Sequence, residues 1–204
     1  MEENVKLTYN NKTFEFPLVK GSQDEYGVDI TKLRAQTGLI TLDPGFKNTG
    51  SCQSDITFLD GEKGILRYRG YDIEDLADNA SFIEVAYLLI FGDLPSKKVL
   101  KVLEHKIHDD SYVDEDLKSI LKSFPKSAHP MGILASLTSG LIAFNPTSVD
   151  VNSEEDMLEA IVILLAKFPI LCAWTHRKVR GLPLNYANTS LSYIENVAHM
   201  MFKK

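Results

Sequence analysis

At 204 residues, with 44% hydrophobic and 25% charged residues, the chain has an ordinary globular makeup and the length to bury a real core. Its net charge of −6, with acids spread along the chain, argues against a nucleic-acid surface. Two distant cysteines, Cys52 and Cys172, offer neither a disulfide framework nor metal-ligand spacing, so a reducing cytoplasm is the expected compartment.

The start, MEENVKLTYNN, is polar and acidic and lacks an apolar signal region. Val5, Leu7 and Tyr9, then Phe14, Phe16 and Leu18, alternate with polar residues on either side of Asn10-Asn11, which predicts a hairpin packed on one face. Val28-Asp29-Ile30 and Leu39 to Leu42 are candidate short strands, and Asp43-Pro44-Gly45 is a turn. A second hairpin is expected from the runs holding Ile56, Phe58 and Ile65, Tyr68, joined by Asp60-Gly61. Residues 1–70 therefore read as a β-rich segment and residues 71–204 as helical.

Asp72 is a candidate cap for a short helix, with Asp75 in its first turn. Ser81 and Glu84 form a capping box for the next helix, which Gly92 and Pro95 stop; Phe82, Ile83, Val85, Ala86 and Leu88 to Phe91 leave it almost no polar face, so burial is expected. Ser96 caps a helix to about Ile107 with Val99, Leu100, Leu103 and Ile107 on one face. Asp114 to Phe124 is amphipathic and ends at Pro125; Pro130 opens a helix to Phe144 that is apolar all round and carries the small residues Gly132, Ala135, Ser136, Ser139, Gly140 and Ala143. Asn145 to Asn152 is a loop. Ser153 caps a long helix to about Lys178, with a kink expected at Pro169. A last helix, Ser190 to Phe202, is expected to bury Leu191, Ile194, Val197, Ala198 and Met201. The longest apolar stretch, Ala160 to Trp174, contains Lys167 and Pro169 and falls short of the roughly 20 residues that span a bilayer. Two neighbouring helices apolar on every side need a larger protein or an interface to cover them, so self-association is expected.

Few residues invite a chemical role. His129 precedes Pro130 at a helix start, where capping explains it; His105 and His108 share a polar face with no partner at metal spacing; His176 and His199 lie near helix ends. Cys172 lies in an apolar helix, and Cys52 has no neighbouring base. Arg67 and Arg69 can bind a carboxylate, but strand alternation reads them as the solvent side. The acids Asp109, Asp110, Asp114, Glu115 and Asp116 read as a solvated helix start, and no nucleotide-binding glycine motif is present. No catalytic, cofactor-binding or metal-binding residue is assigned.

Several motifs nonetheless stand in one order: LDPGF (Leu42 to Phe46), SCQSDITFLDG (Ser51 to Gly61), GILRYRGYDIEDLA (Gly64 to Ala77) with the apolar helix and GDLP after it, Ala128-His129-Pro130-Met131, Lys167-Phe168-Pro169, and LSYIENVAHMMF (Leu191 to Phe202). In this order they resemble the N-terminal half of the citrate synthases, in the bacterial form with an N-terminal β segment. The resemblance implies a mainly α fold, with part of a helical large domain behind the β hairpins, and a homodimer or higher homo-oligomer. It also implies condensation of acetyl-CoA with oxaloacetate, in which a carboxylate removes a methyl proton, one histidine stabilises the enol, another protonates the acceptor ketone, and arginines hold its carboxylates. In the family those groups follow the point matched by Lys204, so none falls on a residue here and this portion alone is expected to be inactive. The ending MMFKK, without a helix stop, favours truncation. Alternatives are a non-catalytic dimerising or regulatory protein derived from the family, or half of a 2-methylcitrate synthase acting on propionyl-CoA. Some bacterial relatives carry an NADH-inhibition site in this half. Lys167 matches one of its positions, but Asp109-Asp110 and Ile163 stand where basic groups are expected.

Overall fold

The alternating start of the chain forms a hairpin. β1 (Asn4–Tyr9) pairs antiparallel with β2 (Lys12–Lys20), with Val5 opposite Phe16 and Leu7 opposite Phe14, so the apolar sets share one face. Asn10 and Asn11 turn the chain at φ 51° and 60°, a left-handed pair that asparagine tolerates and hairpin twist favours. β3 (Tyr26–Val28) adds to β2, which makes a three-stranded sheet of order β1-β2-β3. The expected strand at Leu39 to Leu42 does not form. A short helix, α1 (Leu33–Thr37), closes just before it at Gly38, whose φ is 77°. The Asp43 turn is held by its own carboxylate, which accepts from the Asn48 N–H at 2.8 Å and the Thr49 hydroxyl at 2.7 Å.

The computed structural model describes residues 3–23, 25–145, 150–188 and 190–203, and these divide into one unit up to Asp55 and another from Ile56. Half of the expected loop at Asn145 to Asn152, residues 146–149, lies outside the described residues.

The second unit begins with a sheet of order β4-β5-β6, made by β4 (Thr57–Asp60), β5 (Ile65–Tyr68) and β6 (Tyr71–Asp72). Its first turn spans residues 61–64 rather than Asp60-Gly61 alone, because Asp60 Oδ1 accepts from both the Glu62 and Lys63 N–H groups and Asp60 still pairs with Ile65. The second turn is tighter. Arg69 and Gly70, at φ 50° and 91°, bring Tyr68 opposite Tyr71 and Arg67 opposite Asp72. Asp72 precedes α2 (Ile73–Asn79) but makes no side-chain cap, since its carboxylate is taken by Arg67.

Helices fill the remainder. α3 (Phe82–Phe91) starts with the expected capping box of Ser81 and Glu84 and ends at Gly92, φ 95°. α4 (Lys97–Asp109) turns Leu100, Leu103 and Ile107 inward and leaves Val99 outside. α5 (Glu115–Ser123), α6 (Pro130–Phe144), α7 (Glu154–Val179) and α8 (Tyr193–Phe202) share one core, in which Leu117, Leu121, Ile133, Leu137, Leu171 and Trp174 are shut off from solvent. A smaller core of Ile83, Ile107 and Ala166 joins α3, α4 and α7. Gly140 lets α6 approach α5: a Cβ there would lie 3.2 Å from Leu117 Cδ2. α8 starts three residues later than expected and is rotated relative to the sequence pattern, burying Met200 while Ile194 faces out.

The expectation of burial changes for α3, which buries Ile83 and Leu88 but exposes Phe82 and Phe91. α6 exposes Met131 (63%) and Ile142 (62%), as expected of an all-round apolar helix with too little chain to cover it. α7 stays helical through Pro169, and at 26 residues it is long and apolar enough to cross a bilayer. The estimate from Ala160 to Trp174 was therefore too short. Ala166 packs it into the smaller core and Ile170, Leu171, Ala173 and Trp174 into the larger one, as in a core helix.

Candidate functional site

The residues with chemical potential are spread along the chain, nearly all in the second unit, and most are held by structural partners. Arg67 Nε lies 2.6 Å from Asp72 Oδ1 across the β5–β6 pair, and Arg69 Nη2 donates to the Leu89 carbonyl near the end of α3 at 2.9 Å. Both arginines are half-buried, not on an open solvent face as alternation predicts, because Arg67 is drawn to Asp72 across the sheet and Arg69, at the turn, reaches α3. Arg69 Nε is buried without a partner. Its Nη2 contact at a helix C-terminus suits a cation, since the last carbonyls of a helix carry partial negative charge.

The histidines do not converge. His129 caps α6, its Nδ1 accepting from the Met131 N–H at 3.3 Å. His105 and His108 stack with ring centroids 6.4 Å apart. The sequence pattern missed a carboxylate between them: Asp109 lies 3.6 Å from His105 Nε2 and 3.5 Å from His108 Nδ1. No group of three or more His, Cys, Asp or Glu side chains among the described residues is arranged to hold a metal. His176 meets Phe202 edge-on at 5.5 Å, and the His199 carbonyl accepts from Asn185 at 3.4 Å. Cys52 is exposed and Cys172 half-buried, both as free thiols, and burial pushes the Cys172 thiol up, away from the reactive thiolate.

The acid cluster separates into two roles. Asp114 caps α5 by accepting from the Asp116 N–H at 2.8 Å. Glu115 grips Lys118 with both oxygens at 2.7 Å and accepts from the Tyr186 hydroxyl at 3.2 Å. Lys118, only 8% exposed, sits 4.1 Å from the Tyr186 ring centre and 5.2 Å from that of Trp174, a cation held against two aromatic faces. Trp174 Nε1 in turn donates to the Asn185 carbonyl at 3.0 Å. This cluster fastens the α7–α8 connection to α5, and it escapes a sequence reading because its members are dozens of positions apart.

Arg177 was likewise missed. At 3% exposure it is buried, with Nε donating to the Pro183 carbonyl and Nη1 to the carbonyls of Met201 and Lys203, each at 3.0 Å. It supplies from α7 the donors that the last turn of α8 lacks internally. Lys167, on the same helix, donates to Asn145 Oδ1 at 3.1 Å, and Ile163 one turn earlier is buried.

What the arrangement offers is a scaffold. It has two buried helical cores, charged groups consumed in holding connections, and exposed apolar residues on α6 (Met131, Ile142) and on α7 (Met157, Leu158, Leu164, Phe168).

A family model described as "Citrate synthase, C-terminal domain" matches residues 45–204. The chain is 43% identical to a curated citrate synthase of Corynebacterium glutamicum, an alignment that covers 98% of this chain and 48% of that one. The chain thus spans about half the length of that relative. Among solved structures, the citrate synthase of Pyrobaculum aerophilum matches 100% of this chain and 47% of its own, at 25% identity and a TM-score of 0.68. That of Thermotoga maritima covers 80% and 42%, at 30% identity and a TM-score of 0.67. A ternary complex of the Thermoplasma acidophilum citrate synthase with carboxymethyl coenzyme A and oxaloacetate shares the fold, with a TM-score of 0.70 at 19% identity. A family model over residues 45–204 and 43% identity across 98% of the chain leave one assignment: this chain belongs to the citrate synthase family.

Proposed function

We propose that the chain is the N-terminal portion of a citrate synthase that joins acetyl-CoA, oxaloacetate and water to give citrate and free CoA in a cytoplasmic, homo-oligomeric enzyme. The observation that carries this reading is the 43% identity to a citrate synthase over 98% of the chain. In the reaction the acetyl methyl group loses a proton, its carbon forms a bond to the oxaloacetate ketone carbon, the ketone oxygen takes a proton, and water then cleaves the thioester C–S bond to give a carboxylate and the free thiol. This portion supplies scaffold rather than chemistry: its histidines cap or stack, and its buried arginine is spent on carbonyl groups. Self-association is supported by the exposed apolar residues of α6 and α7, which in water favour a covering partner.

Thiol release is the test. The full-length protein is expected to liberate CoA from acetyl-CoA in the presence of oxaloacetate, well above the rate with propionyl-CoA, and residues 1–204 alone are expected to liberate none above background. A full-length protein that prefers propionyl-CoA would make it a 2-methylcitrate synthase instead.

NADH is expected not to inhibit. Lys167 is engaged with Asn145, and Asp109 and Asp110 place negative charge where a dinucleotide phosphate would need positive charge. Calorimetry of the full-length protein with micromolar NADH is expected to show no binding heat, and saturable binding would refute this.

A further inference from the structure

A proline inside a helix has no N–H to give the carbonyl one turn back. For Pro169 in α7 that carbonyl belongs to Leu165. It is not left open: the Tyr193 hydroxyl donates to the Leu165 oxygen at 2.7 Å. Tyr193 is the first residue of α8, and its ring stacks on Phe82 of α3, with centroids 5.2 Å apart and planes 11° apart. We infer that Tyr193 is a latch on the proline gap of α7, its hydroxyl replacing the backbone donor that Pro169 lacks and tying the start of α8 and the start of α3 to the middle of α7.

Three observations agree on this role. The contact joins a side chain from α8 to the carbonyl that Pro169 leaves without its backbone donor in α7. Burial pushes the Tyr193 hydroxyl up to about 12, so the proton that the latch uses stays in place throughout the physiological range. The ring is fixed from outside by Phe82 and from within by the smaller core, where Leu165 and Tyr193 both pack against Ile83, Ile107 and Ala166. Leu164 and Phe168, which neighbour the gap, are exposed. By fixing the course of α7 past its break, the latch also fixes how those two residues are presented. The latch itself does not depend on the citrate synthase reading.

A double-mutant cycle in the full-length protein tests it. Tyr193→Phe removes only the hydroxyl, and Pro169→Ala restores the N–H that satisfies Leu165 within the helix. Tyr193→Phe is expected to raise the unfolding equilibrium constant about tenfold in the otherwise unaltered protein, a change of about 1.4 kcal/mol. In the Pro169→Ala background the same change is expected to have less than about a twofold effect, since the carbonyl then has its own donor. Equal effects in both backgrounds, or no effect in either, would overturn the latch. A second reading needs no variant. In the unaltered protein the Tyr193 hydroxyl proton is expected to exchange slowly enough to give its own magnetic resonance signal with a through-space contact to α7. A hydroxyl exchanging at the solvent rate would overturn the latch as well.

Discussion

α5 and α6 pack against each other yet handle their apolar residues in opposite ways. α5 sorts them more closely: Leu117 and Leu121 turn in, Ile120 stands at the margin at 37% exposure, and its buried lysine is matched by Glu115 and two aromatic rings. α6 does not. Ile133, Leu137 and Leu141 fill the core while Met131 and Ile142 face out, with the exposed Ala135, Ser136, Ser139 and Ala143 between them. The difference shows that a sorted helix is satisfied within its own chain, whereas an unsorted one carries apolar surface beyond what the local core can use. Small side chains on that outer face would let a second helix approach closely.

Substitutions on α6 separate its two sides. Leu137→Ala removes a side chain with no solvent exposure and is expected to cost about 3 kcal/mol in denaturant unfolding. A cost under about 1 kcal/mol would mean that the inward face of α6 is not the core it is taken for. Gly140→Val drives a branched side chain into the 3.2 Å approach to Leu117, with an expected loss of about 2 kcal/mol and no change if α5 can move aside freely. Ile142→Glu on the outer side is expected to move unfolding by no more than about 0.5 kcal/mol while shifting sedimentation towards smaller particles. Unchanged sedimentation would remove the outer face of α6 from the self-association reading.

Much of the local structure was legible because its causes lie close together in sequence. Asn10-Asn11, the Ser81–Glu84 box, Pro130 at a helix start and Gly92 at a helix stop each act within about a turn of the chain. Where the reading erred, a side-chain contact had overridden the simpler local signal. Asp72 gives up capping α2 for Arg67, the Asp60 turn widens to four residues around its own carboxylate, and α8 rotates so that Tyr193 can reach Leu165 and Met200 the core. The expectation that α3 is buried failed for a related reason: all-round apolarity states a need for cover and not that this stretch of chain provides it. The candidate site divides similarly. A histidine capping α6 could be read from its neighbour Pro130, but Lys118 between Trp174 and Tyr186, or Arg177 reaching Met201 and Lys203, joins positions that no spacing rule connects.

The partners of Arg177 have a consequence for acid. Glu84 and Glu195, which serve the starts of α3 and α8, are held below the usual carboxylate range, Glu84 by the Ser81 N–H and hydroxyl and Glu195 by the Ser192 hydroxyl and N–H. A carboxyl lowered in the folded state lends stability above its unfolded value, and that stability is lost as pH falls through the folded one. Those two helix starts should therefore loosen below about pH 4. The end of α8 has no such weakness, because Arg177 holds it through backbone carbonyl oxygens, which do not titrate. As pH is lowered, amide exchange should show α8 fraying from Tyr193 towards a tethered Phe202, the reverse of a helix whose C-terminus hangs free.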